Sequence, residues 1–137
     1  MADELDEELE EIRKKRIEEI KKKKEGPDYP DSPISVSASN FKEVIDRYPV
    51  VVVEFRADWC GACKSLDPLI DQLATKYSGE AVFGRVNVDS NPNLVRNFQV
   101  SGVPTLLVAK DGEIVDKMVG VSSPQNLESK IRNYINQ

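Results

Sequence analysis

From residue 34 onward the apolar positions alternate between two periods. Val50–Phe55 is a β-branched run broken only by Glu54, the pattern of a strand buried on both faces. Ile34–Val36 predicts a short strand before it, and Val82–Val88, Val103–Ala109 and Ile114–Val119 predict three more. Helical signals fall between them. Asn40 followed by Glu43 reads as a capping box that opens a helix through about Arg47. A second helix is predicted from Cys60 to about Tyr77. Asn91-Pro92, a cap followed by proline at the first helical position, opens a short helix that ends near Phe98. Ser123-Pro124 opens the last helix, through Ile135, and Asp111-Gly112 marks a hairpin turn. The order βαβαβαββα predicts an α/β fold, a mixed central sheet with helices on both faces.

The first 33 residues follow another pattern. Residues 2–24 predict one helix, with Leu5, Leu9, Ile12, Ile17 and Ile20 inside an arc of about 140°. Its other face carries Glu10–Lys14, Glu11–Lys15, Glu18–Lys22 and Glu19–Lys23, i,i+4 pairs in the favourable orientation. Gly26-Pro27 ends the helix, and Pro27, Pro30 and Pro33 make a stiff linker. The expected division is therefore a charged helical extension over 1–33 and a domain over 34–137. A solvated helix and a docking helix both fit the extension. Binding nucleic acid through Lys21 to Lys24 is opposed by the acids upstream.

Composition narrows the chemistry. A chain of 137 residues suits one domain. Its net charge of −5 disfavours nucleic acid as a bulk partner. It contains no histidine, which excludes Ser-His-Asp and Cys-His catalysis and any His-ligated metal. The longest apolar runs are far too short to span a bilayer. The acidic start, Met1-Ala2-Asp3-Glu4, lacks the features of a signal peptide, so a cytoplasmic location is expected.

The two cysteines, Cys60 and Cys63, lie where a buried strand hands over to a helix, between Trp59 and Lys64. In a reducing compartment this spacing points to redox chemistry or to metal binding. At a helix N-terminus, unpaired N–H groups and the positive dipole end favour a thiolate at Cys60. Three-residue spacing brings both sulfurs to one side of the first turn, within the roughly 4.4–6.8 Å between Cα atoms that a disulfide tolerates. One sulfur is then placed to attack and the other to resolve. Zinc would need two further ligands from carboxylates or a second chain, so no metal is expected. Two inert buried cysteines would be the plain structural alternative.

The segments Ala57-Asp58-Trp59-Cys60-Gly61-Ala62-Cys63-Lys64, Val86-Asn87-Val88-Asp89, Gly102-Val103-Pro104-Thr105 and Val119-Gly120 resemble the thioredoxin family in motif, order and spacing. The resemblance covers about 34–137. It implies a thioredoxin fold and a reductase of protein disulfides, with Cys60 as nucleophile and Cys63 resolving the mixed disulfide. It implies that the dithiol is restored by a thioredoxin reductase, a flavin-dependent one, and that the protein itself needs no cofactor. A monomer is expected. The Val103–Pro104 bond is expected to be cis, so that Val103 pairs with a substrate strand. Trp59, Gly61, Ala62, Val103, Pro104, Gly120 and Val121 would form the substrate-binding surface.

Four features depart from the family's pattern. Ala62 stands where proline is usual, which bears on the reduction potential. Glu54 stands where aspartate is usual, beneath the cysteines. Burial would raise its pKa and let it take the proton from Cys63; the competing reading is a carboxylate paired with Arg85 or Arg56. Arg56 replaces a common aromatic residue, and the extension has no counterpart in a minimal member. A second reading of the whole chain is a redox-capable adaptor that docks through its N-terminal helix. A third, an oxidant or isomerase, is opposed by the absence of histidine between the cysteines.

Overall fold

The computed structural model describes residues 7–15, 29–120 and 123–137. Residues 7–15 are helical (α1), and Leu9 and Ile12 of the expected apolar stripe are exposed. Leu5, Ile17, Ile20, the lysines at 21–24 and Val121 lie outside the described residues. The elements that follow are β1 (Ile34–Ser35), α2 (Phe41–Arg47), β2 (Val50–Arg56), α3 (Gly61–Lys76), β3 (Val82–Asn87), α4 (Pro92–Asn97), β4 (Thr105–Lys110), β5 (Glu113–Val119) and α5 (Pro124–Ile135). The strands form one sheet in the order β1-β3-β2-β4-β5. β2 pairs parallel with β3 and antiparallel with β4, so the sheet is mixed as expected.

Alternation along β2 sorts its side chains between two cores. Val51, Val53 and Phe55 pack with Phe41, Val44 and Ile45 of α2 and Leu94 of α4. Val50 and Val52 pack with Leu66, Ile70 and Leu73 of α3 and Leu127 and Ile131 of α5. Glu54 and Arg56 continue the second series, so the strand delivers a carboxyl and a guanidinium to the face beneath α3. On β3, Phe83 joins the same core, and Arg85 follows it by the same parity.

Two expected helix caps take other partners. Asn40 makes no side-chain cap. Its Oδ1 accepts from the Ser37 backbone N–H at 2.8 Å and its Nδ2 donates to the Ser35 carbonyl. Asn91 also leaves α4 uncapped; its Oδ1 accepts from the Ala38 N–H at 3.0 Å and its Nδ2 donates to the Asn87 carbonyl. Ser123 does cap α5, accepting from the Asn126 N–H. At the hairpin, Asp111 and Gly112 both have positive φ, 52° and 83°, the pairing that a tight antiparallel turn requires. β4 starts at Thr105, so Val103 and Pro104 precede the strand rather than open it.

Residues 29–33 lie against the domain. The Tyr29 ring packs on that of Tyr48 in a tilted arrangement, with centroids 5.2 Å apart, and the Thr75 hydroxyl donates to the Asp31 carbonyl at 2.8 Å.

Candidate active site

A tight turn joins β2 to α3. The Cys60 N–H donates to the Ala57 carbonyl, and Cys60 becomes the N-cap of the helix. Its Sγ accepts from the Cys63 backbone N–H at 3.1 Å, taking the part that a side-chain oxygen plays in an ordinary cap. A sulfur held in this way faces the positive end of the 16-residue α3, which favours a thiolate once the pair is reduced. Cys60 and Cys63 are joined as a disulfide, with Cα atoms 5.3 Å apart. Cys63 is 0% exposed and Cys60 is 7% exposed.

The loop before β4 closes over the pair. Cys60 Sγ lies 3.8 Å from the Val103 carbonyl oxygen, and the Val103–Pro104 bond is cis. Pro104 is buried, and its carbonyl oxygen accepts from the Gly120 N–H at 2.8 Å. Ala62, Pro104 and Gly120 thereby line one groove, together with Leu66, Leu69 and Pro124. Trp59 and Val103 line a second cleft with Val95 and Val100. Trp59 is 70% exposed, and its indole N–H donates to Asp89 Oδ2 at 3.0 Å. Gly61 is exposed on the first turn of α3.

A charged network joins β2, β3 and α3. Glu54 is 0% exposed. Its Oε1 is 3.4 Å from Arg85 Nε, and Oε2 is buried with no hydrogen-bond partner among the described residues. Burial, and then the negative charge of Asp67, push the Glu54 pKa up from 4.5 to about 7, against the pull of Arg85 and Arg56. Of the two arginines expected beside Glu54, only Arg85 reaches it. Arg56 instead pairs with Asp67 and Asp58. Reading the sequence alone does not single out Asp67; the available signal is that Asp67 and Asp71 lie four apart on one face of α3. Among the described residues, no three Cys, Asp or Glu side chains gather as a metal site. No helix there is long and apolar enough to cross a membrane.

A strand-to-helix junction holding a dithiol pair at a helix N-cap, beside a cis proline loop, defines a site built for dithiol–disulfide exchange. The thioredoxin family model matches residues 32–133. A thioredoxin of Chlorobaculum thiosulfatiphilum is 41% identical over 97 residues, 70% of this chain and 90% of its own length. A thioredoxin of Staphylococcus saprophyticus is 41% identical over 102 residues, covering 74% and 97%. Among solved structures, a mutant thioredoxin from Halobacterium salinarum superposes with a TM-score of 0.74 at 35% identity, covering 80% of this chain and 96% of that one. Mitochondrial thioredoxin 3 from Saccharomyces cerevisiae, in its oxidized form, gives 0.68 at 28% identity, covering 74% and 94%.

The chain belongs to the thioredoxin family. It is a thiol–disulfide oxidoreductase that reduces protein disulfides by dithiol–disulfide exchange, and Cys60 and Cys63 are the only two cysteines it has. The family acts on disulfide substrates and is itself reduced by thioredoxin reductase. The adaptor reading is not favoured.

Proposed function

We propose that the two sulfurs have fixed and different parts in the exchange. The Cys60 thiolate attacks one sulfur of a substrate disulfide, forming a mixed disulfide and releasing the other substrate sulfur as a thiolate. Cys63 then gives its proton to Glu54 and attacks the Cys60 sulfur. The substrate leaves with both sulfurs reduced, and Cys60–Cys63 carries the oxidation. The observation that supports this order is the exposure of the pair. Cys60 is 7% exposed and its Sγ accepts from the Cys63 N–H, whereas Cys63 is 0% exposed.

Around the sulfurs, Trp59, Gly61, Ala62, Val103, Pro104, Gly120 and Val121 form the surface on which an extended substrate segment docks. The electrons come from a flavin-dependent thioredoxin reductase. The protein works as a monomer in the cytoplasm. Spending both cysteines on the dithiol fits a reducing compartment, and a net charge of −5 keeps copies apart. The domain spans 34–137, with 1–33 as an extension.

The test is to mix Cys60→Ser and Cys63→Ser separately with insulin and look for covalent adducts. Cys63→Ser should stall as a mixed disulfide, and Cys60→Ser should form none. Equal trapping by both variants would overturn the assignment.

A further inference from the structure

Arg56 stands on β2 two residues beyond Glu54 and on the same face. Its guanidinium grips Asp67 of α3 with a two-pronged fork: Nε donates to Oδ1 at 3.2 Å and Nη2 donates to Oδ2 at 3.1 Å. The remaining nitrogen, Nη1, donates to Asp58 Oδ1 at 2.9 Å. The fork is mostly enclosed, with the Arg56 side chain 15% exposed.

Asp67 has a second suitor. Arg85 Nε lies 3.8 Å from Asp67 Oδ1 and 3.4 Å from Glu54 Oε1. A guanidinium Nε carries one hydrogen, so these two carboxylates compete for it. Arg85 Nη2 is engaged elsewhere, donating to the Asp67 carbonyl at 2.9 Å and to Asp71 Oδ1 at 3.0 Å. If Asp67 took the Nε–H, the Glu54 carboxyl would lose the one hydrogen-bond partner it has among the described residues and would still face a negative neighbour.

We propose that Arg56 is a positioning residue for the proton transfer: by occupying both oxygens of Asp67 it leaves the Arg85 Nε–H to Glu54 and offsets the Asp67 charge that Glu54 faces. This rests on Glu54 being the proton acceptor. The charged groups around Glu54 are Arg56 on β2, Arg85 on β3, Asp67 and Asp71 on α3, and Asp58 in the turn. On the β4 side, Leu106 is its strand partner and brings no charge. With Arg56 in place, part of the Asp67 charge that Glu54 faces is offset. Without it, Asp67 acts on Glu54 as a bare anion. Arg56 therefore favours the ionised, proton-accepting form of Glu54 through Asp67, without touching the sulfurs.

The experiment follows two readouts in the full-length chain. One is the titration of the Glu54 carboxyl by carbon-13 NMR. The other is the pH profile of the resolving step in single-turnover reduction of insulin, with mixed disulfide trapped by rapid alkylation. Arg56→Met should move the Glu54 midpoint upward by about half a unit to one unit, and Asp67→Asn should move it downward. The resolving rate near pH 7 should fall roughly two- to fivefold in Arg56→Met, with its profile moved to higher pH. Arg56→Lys should restore part of the shift, and the Arg56→Met/Asp67→Asn pair should return the midpoint toward that of the parent. A folded Arg56→Met whose Glu54 midpoint does not move overturns the inference. Midpoints that shift in opposite directions while the resolving profile stays fixed support the hold of Arg56 and Asp67 on Glu54, and overturn the proton-acceptor reading instead.

Discussion

Arg85 Nε meets Glu54 Oε1 at 3.4 Å, and the second oxygen of that carboxyl, Oε2, is enclosed with no hydrogen-bond partner among the described residues. A buried carboxyl held by one long bond is poorly compensated as an anion. Between the usual 4.5 and about 7, the folded chain keeps a proton on Glu54 that the unfolded chain has released. Stability should therefore fall as pH rises through that window, and the loss should be complete above it. At about 1.36 kcal/mol per unit, the span of roughly 2.5 units amounts to about 3 kcal/mol. Glu54→Gln has no proton to lose. Urea unfolding from pH 4.5 to 8 should show the decline in the parent and a flatter line in the variant.

Asn91 should be worth more than its place at the start of a short helix suggests. Its side chain joins the start of α4 to the Ala38 N–H, 53 residues earlier. Asn91→Ala leaves that N–H without its partner and leaves the Asn87 carbonyl with the Ser90 N–H alone. The cost expected from thermal or denaturant unfolding is about 1–3 kcal/mol, with the reaction of the dithiol unchanged.

Gly84 of β3 pairs with Ile34 of β1, and the Val36 side chain lies over it. A Cβ built there would stand 2.5 Å from Val36 Cγ2, and Val36 is itself buried. Gly84→Ala should push β1 off its register and cost roughly 1–3 kcal/mol, as overpacking does. Backbone amide exchange should rise at residues 34–36 before it rises in β2.

Two truncations should separate the extension from its anchored end. Removing residues 1–26 takes away no packing among the described residues and should leave the thermal midpoint and insulin reduction nearly unchanged. Removing residues 1–33 also loses the tilted Tyr29–Tyr48 ring contact and the Thr75 bond to Asp31, and should cost about 1–2 kcal/mol. A domain of this size should then melt several degrees lower, at roughly 4–8 °C per kcal/mol.

The order of elements was legible because local periodicity follows burial. Val50–Phe55 reads as a two-faced buried strand, and it is one, because a central strand has no solvent side on which a polar residue could sit. The dithiol was legible for the same local reason, since three residues of helix fix the distance between two cysteines. Competition for a polar side chain was not. Asn40 and Asn91 carry the composition of helix caps, yet Ser37, Ser35, Ala38 and Asn87 take their side chains. Nothing within a few residues of Asn91 reveals a donor 53 positions away. The partner of Arg56 was hidden in the same way, since Asp67 meets it only after α3 has folded back over β2.

The contact between Thr75 and Asp31 also fixes where the chain leaves the domain. Thr75 lies near the last turn of α3, and Cys60 caps the first. About fifteen helical residues separate them, ~22 Å at roughly 1.5 Å each. The described chain from Tyr29 onward thus joins the domain at the pole opposite Cys60. A copy captured by its N-terminal end, on a bead or on a larger body, presents Cys60 outward, and its catch and its reach do not compete for the same ground.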